Sequence, residues 1–281
     1  MALMAPMLIS PAQASLAQRT GLALTQALRQ HRSGEAMAAE GRISDLLIEG
    51  VCPEQLPASI HRTRLRSPDS AAALAINSFL PWRAATERLP LAGWTGFDAV
   101  QFEVRCPTGL RGTPPHIDLL ALRVEVAVAV TVRCIEYLSR RKTAVAPSYD
   151  RLLATTPGLD PWRRQLARLR DEPRCYRHVD LGALIKFAVA LGRTFPERLT
   201  VLLYLFWEPL DADRFEEFVA HRRELAELQA ALGDGRVSFV AQTFKAMWQQ
   251  WAELDTPDWV GGHVERLRAR YCVSIAAGEP Q

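Results

Sequence analysis

With 281 residues, 48% of them hydrophobic and 23% charged, the chain has the composition of a globular protein with a full core, in one large domain or two small ones. The five scattered cysteines form no C-x-x-C, so neither a disulfide framework nor a zinc site is supported, and a reducing cytoplasm fits. The longest apolar run, Ile117 to Val132, carries Arg123 and Glu125 and falls short of a membrane span, so no membrane partner is expected, and the net charge of +3 permits a nucleic-acid partner without arguing for one.

In chain order, MALMAPMLISPAQAS lacks a positive leader region and is interrupted by Pro6 and Pro11, which reads against a signal peptide. Residues 14–30 carry an amphipathic helix pattern, followed by a polar break at His31–Gly34. The Pro-, Ser- and Arg-rich stretch 51–70 reads as loop or linker. A helical extension over 1–66 would then precede a domain over 67–281, although no repeat or sharp composition shift marks a boundary. Asp69 or Ser70 can cap the helix AAALAINSFL, which Pro81 ends or bends.

Strands are expected at about 98–105, 116–123 and 125–133; the second and third are joined by ALRVEVAV, which has no Gly, Asn, Asp or Pro for a hairpin turn. They meet either in a tight turn at Arg123–Glu125 or in a stretch that has drifted from a working design, of which drift is the favoured reading. A polar helical stretch from Pro147 to Asp171 is broken at Pro157–Gly158, and DLGALIKFAVALGR follows as a helix with Asp180 as its N-cap. The run LTVLLYLFW (199–207) has the apolar continuity of a strand buried on both faces. A charged helix (212–231), a short strand (236–240) and a helical region (242–270) complete the pattern; Trp82, Trp207, Trp248 and Trp251 read as core.

The chemistry concentrates between Phe102 and Leu138, where a strand, a Gly/Pro loop and two apolar strands hold Glu103 near the end of the first strand and Asp118 at the start of the second. A sheet presents carboxylates in this way to a divalent metal beside a phosphate. No P-loop, G-x-S-x-G or G-x-G-x-x-G occurs, which removes the common nucleotide-binding and hydrolase alternatives. Lysine is confined to Lys142, Lys186 and Lys245, so arginine supplies the rest of the 34 basic residues. Arginine suits bidentate phosphate contact, but a skew of this kind mostly reflects a GC-rich gene.

The segments AINSFLPW (75–82), FEVRCPTGLRGTPPHIDLLA (102–121), CIEYL (134–138), YRHVDLGALIKFA (176–188), LLYLFWEP (202–209) and FVAHRREL (218–225) resemble, in that order, a group of bacterial restriction-endonuclease-like proteins. These belong to the PD-(D/E)XK nuclease superfamily, and the resemblance spans residues 70–255. It implies an α/β fold with a restriction-endonuclease-like core (helix, three strands, helix, strand) and added helices at both ends. It also implies a magnesium-dependent DNA endonuclease. The family motif is acid-x-Lys on the third strand, where this chain has Thr131-Val132-Arg133.

Phosphodiester hydrolysis needs a cation that polarises the phosphate and acidifies an attacking water. Asp118 is the expected magnesium ligand and Glu103 a second one, with Thr131, Arg133 and Glu136 completing the candidate catalytic set. Thr131 offers only a neutral hydroxyl, and Arg133 keeps its proton where a lysine could transfer one. Glu125 shares a strand face with Thr131 but lies six residues away, roughly 20 Å at about 3.3 Å each. His116 shares the face of Asp118, although a loop-end histidine more often has a backbone partner. Arg111, Arg140, Arg141, Lys142 and Lys186 are candidate DNA-phosphate contacts. Three readings stay open: a magnesium-dependent endonuclease with an altered site, a DNA-binding module on the same fold, and a structural or partner protein. The first two have DNA as partner, and a homodimer is compatible with all three.

Overall fold

The computed structural model describes residues 14–31, 43–60, 62–65, 67–139 and 142–275. Among them are eight α-helices and one mixed sheet of five strands in the order β1-β2-β3-β4-β5. β1 (Ala99–Arg105), β2 (His116–Leu122) and β3 (Val126–Arg133) form an antiparallel meander, and β4 (Leu199–Phe206) and β5 (Val237–Thr243) add in parallel. The change from antiparallel to parallel falls on β3, whose interior position explains its unbroken run of buried residues.

Helices cover both faces, and two separate apolar layers result. Against one face lie α2 (Ala71–Phe79), α7 (Phe244–Glu253) and α8 (Trp259–Tyr271), with α1 (Leu16–His31) joining through Leu24; Trp82, Trp207, Trp248 and Trp251 are all buried here. Against the other lie α3 (Ser148–Thr155), α4 (Asp160–Asp171), α5 (Leu181–Thr194) and α6 (Glu216–Leu232). Although α6 is charged, it buries Phe218, His221, Leu225, Leu228 and Leu232, spaced three or four apart as a single helical stripe requires.

Local chemistry sets the boundaries. Ser70 caps α2 by accepting from the Ala73 N–H at 3.2 Å, and Asp180 caps α5 by accepting from the Ala183 N–H at 3.2 Å. The Asp180 carboxylate also takes the Thr143 N–H at 3.0 Å, which draws that chain across the start of α5. A Cβ at Gly182 would stand 2.0 Å from the Thr143 carbonyl oxygen, so only glycine permits the crossing.

Several expectations are corrected. The stretch 51–70 is loop with short 3-10 turns, yet it is no free linker, because Ile60 and Leu65 are buried in the first layer. The charged helix starts at Glu216, after a separate 3-10 turn at Ala212–Arg214, and the region 242–270 is two helices parted around Pro257. β5 starts one residue later and ends three residues later than expected. Between β2 and β3 the chain turns tightly: Arg123 and Val126 exchange backbone hydrogen bonds at 3.0 and 3.3 Å, and neither Val124 nor Glu125 takes a positive φ. A turn that avoids the left-handed region needs neither glycine nor asparagine. Residues 1–13, Arg140 and Arg141 lie outside the described residues, and with them most of the stretch read against a signal peptide. Among the described residues no helix is long and apolar enough to cross a membrane.

Candidate functional site

Glu103 and Asp118 face each other across β1 and β2, between the pairs Phe102–Leu119 and Val104–Ile117. At this rung both strands exchange faces. Val100 and Phe102 pack in the first layer but Val104 and Cys106 in the second, while on β2 Ile117 packs in the second and Leu119 in the first. The exchange is made in part by Glu103, whose φ of 53° lies in the left-handed region. Such a conformation costs a non-glycine residue about 1–2 kcal/mol, and it aims this side chain toward Asp118.

Between the two acids stands a residue that sequence reasoning missed. The Arg64 guanidinium donates through Nη1 to Glu103 Oε2 and through Nη2 to Asp118 Oδ1 at 3.1 Å. Both carboxylates are nearly closed off, with side chains 5% exposed, whereas Arg64 reaches in from the surface at 40%. Burial lowers the Arg64 pKa, but the charges of Asp118 and then Glu103 outweigh it and leave the pKa above the ordinary value. The second Asp118 oxygen accepts the Val132 N–H at 2.8 Å. His116 places Nδ1 3.4 Å from Glu103 Oε2 and Nε2 3.0 Å from Arg105 Nε, so its partner is a carboxylate rather than backbone.

The other expected residues are distributed around this triad. Thr131 is fully buried, and its hydroxyl has no hydrogen-bond partner. Arg133 donates to the Val132 carbonyl at 2.7 Å and lies over the Tyr204 ring at 5.8 Å, toward the second layer. Glu136 accepts the Cys134 N–H at 2.6 Å and lines, with Arg64, Ser67, Asp69, Ser70 and Ile135, an open cleft of about 360 Å³. It has solvent-exposed atoms at the cleft, yet burial of the carboxyl raises its pKa and Asp118 adds to the rise, against the Cys134 N–H and Arg133.

Of the expected DNA contacts, Lys142 donates to the Val179 carbonyl at 3.1 Å, and burial lowers its pKa. Lys186 lies 5.9 Å from the centre of the Tyr149 ring. Arg111 is exposed on the β1–β2 loop. Exposed Arg193 lies against the same loop, 2.9 Å from where a Cβ on Gly109 would stand, and exposed Arg105 sits at the loop's start. Arg105, Arg111 and Arg193 thus form a basic rim on the β1–β2 loop, which joins the strands of the two acids.

The donor set does not suit a magnesium site. Magnesium wants converging hard oxygens and keeps several waters; here a guanidinium holds both carboxylates and the third position is a neutral hydroxyl. Among the described residues no group of three or more His, Cys, Asp or Glu side chains is placed to hold a metal ion. Arg64 escaped notice because it lies 54 residues from Asp118 in a loop; the only signal was the alternation of arginines at 62, 64 and 66. No family model, curated protein or solved structure matches the chain.

Proposed function

We propose that the chain is a restriction-endonuclease-like protein of the PD-(D/E)XK type that binds DNA through the basic rim of its β1–β2 loop and does not hydrolyse it. The observation that carries this reading is the Arg64 guanidinium seated between Glu103 and Asp118, with Thr131 where the resemblance calls for an acid. Support for the fold assignment comes from the element order. A helix, an antiparallel three-strand meander, a helix (α5, preceded by the added α3 and α4) and a parallel fourth strand come in the order that the resemblance implies. Support for the ligand comes from Arg105, Arg111 and Arg193, exposed around one loop and free of the carboxylates that occupy Arg64.

Arginine forks match phosphate oxygens, and phosphate contacts fix a protein on a duplex without reading its sequence. Neutralising three phosphates gives a log–log dependence of affinity on salt with a slope of about −3. Fluorescence anisotropy with a short duplex across a salt series tests the reading. The expected result is this slope in the wild type, reduced by about one in Arg111→Ala and again in Arg111→Ala/Arg193→Ala. Binding that is absent at low salt, or indifferent to both changes, assigns the chain to the structural class.

The hydrolytic reading keeps one observation in its favour, the left-handed Glu103 that turns its carboxylate toward Asp118. Strained backbone of this kind is concentrated at functional sites.

A further inference from the structure

The reach of a single loop arginine into two buried acids has a consequence beyond DNA binding. Glu103 and Asp118 are fixed by the sheet, and Asp118 is held a second time by the Val132 N–H. Two nearly buried anions on neighbouring strands repel each other and have lost most of their hydration, so the fold tolerates them only with a counter-ion between them. Thr131 brings no charge. Of the two acids His116 touches only Glu103, and it is charged only when protonated.

The counter-ion present is Arg64, and its position is constrained. The neighbouring Leu65 side chain is 2% exposed, and the Ser70 hydroxyl donates to the Arg64 carbonyl at 2.5 Å. The backbone that carries the guanidinium is therefore pinned at the start of α2.

We propose that Arg64 is the resident cation of the Glu103–Asp118 pair: a tethered guanidinium bridges the two carboxylates and offsets one of their two charges in the place where a divalent ion would sit, and the fold needs no metal there. A planar guanidinium with parallel donors suits two acids presented side by side. The substitution of an acid by Thr131 is consistent with it, since one monovalent cation balances fewer carboxylates than a divalent one. This inference rests on the non-hydrolytic reading only for its functional meaning. DNA binding and cleavage report on that reading, whereas metal affinity and thermal unfolding report on Arg64 itself.

The experiment uses the full chain as wild type, Arg64→Gln and Arg64→Lys, with Mn²⁺ as probe. Binding is read by electron paramagnetic resonance, and unfolding is followed with added Mn²⁺ or with EDTA. The wild type is expected to bind no Mn²⁺ at this pair and to unfold at one temperature in both conditions. Arg64→Gln should lower Tm by roughly 5 °C or more. It should also bind Mn²⁺ at least about ten-fold more tightly than the wild type, and Asp118→Asn in the same chain should abolish that gain. Arg64→Lys keeps a charge and should stay insensitive to Mn²⁺. If Arg64→Gln folds only with Mn²⁺ the proposal holds, and if it does not fold at all Arg64→Lys decides, folded and Mn²⁺-insensitive in support, unfolded or metal-binding against. Mn²⁺ binding by the wild type that Asp118→Asn removes, or an Arg64→Gln chain with unchanged Tm and no metal affinity, overturns it.

Discussion

Two polar regions of this molecule contrast in where their partners come from. Deep in the second layer, the Tyr137 ring stacks on His221 at 3.9 Å, His221 meets the Tyr204 hydroxyl at 3.1 Å, and the Tyr137 hydroxyl donates to the Trp207 carbonyl. His178 sits 3.1 Å from the Tyr137 carbonyl, and Glu224 accepts the N–H groups of Arg177, His178 and Val179 at 2.7, 2.7 and 2.9 Å. Burial holds His221 far below its ordinary pKa and raises the Tyr204 hydroxyl, so the ring pair stays uncharged. At the sheet edge Glu103 and Asp118 both pair with Arg64, and this cation arrives from a surface loop. The inner network draws on four of the segments that carry the family resemblance, CIEYL, YRHVDLGALIKFA, LLYLFWEP and FVAHRREL. Its residues bind one another, so these segments build the interior of the second layer. The edge triad sits where chemistry is expected, and there the chain departs from the motif.

This contrast is most easily broken at Glu224. Glu224→Ala leaves three backbone donors to find water at the approach to α5, at a cost of about 3 kcal/mol after allowing for partial exposure. Thermal unfolding should show a fall of about 10 °C, with DNA affinity of the folded fraction unchanged. A smaller effect is expected at the edge. Thr131→Glu with Arg133→Lys supplies an acid and a compact charge but leaves Arg64 in place, so plasmid cleavage in Mg²⁺ should stay at the wild-type level. Adding Arg64→Gln clears the cation, and cleavage should then rise on the order of 100-fold, the scale of regaining one metal-ligating group. Cleavage by the double variant alone would show that Arg64 yields to the metal.

A third expectation concerns pH. Burial, opposed by Arg222, raises the Glu208 pKa to about 7 from 4.5. The folded state therefore binds more protons than the unfolded one between these values. The contribution of Glu208 is fully present below about pH 4.5 and is lost as pH rises through about 7. Glu208→Gln removes this dependence, and its Tm relative to wild type should be higher at pH 8.5 than at pH 5. The opposite order would mean that the Arg222 pair outweighs burial. The smallest effect belongs to Thr131→Val. Its buried hydroxyl lacks a partner, so replacement by a methyl should leave Tm unchanged or raise it by about 1–2 °C; a marked loss of DNA affinity would give Thr131 a role that its contacts do not show.

Much of the fold was legible in the sequence because its signals are local. Ser70 and Asp180 announce their helices as caps, and the apolar continuity of 199–207 marks a central strand. The β2–β3 turn lacked a signal because its backbone avoids the conformations that select glycine or asparagine. The depth of the 51–70 stretch was hidden for a different reason. Its polar composition is that of a loop, and only Ile60 and Leu65 tie it to the core. At the site, Glu103, Asp118 and their convergence were readable from the strand–loop–strand pattern. Arg64 was not, since a pairing over 54 residues from an irregular segment leaves no periodicity to read.

Supercoiled plasmid incubated with the wild type and with Asp118→Asn, each in Mg²⁺ and in Mn²⁺ at a salt concentration where the DNA is bound, decides whether the Glu103–Asp118 pair is hydrolytically silent. Bound but intact plasmid is expected, with nicking by the wild type no greater than by Asp118→Asn in either metal. Nicking or linearisation by the wild type that Asp118→Asn abolishes would contradict it, and would establish that the Glu103–Asp118 pair exchanges Arg64 for a metal ion and cuts.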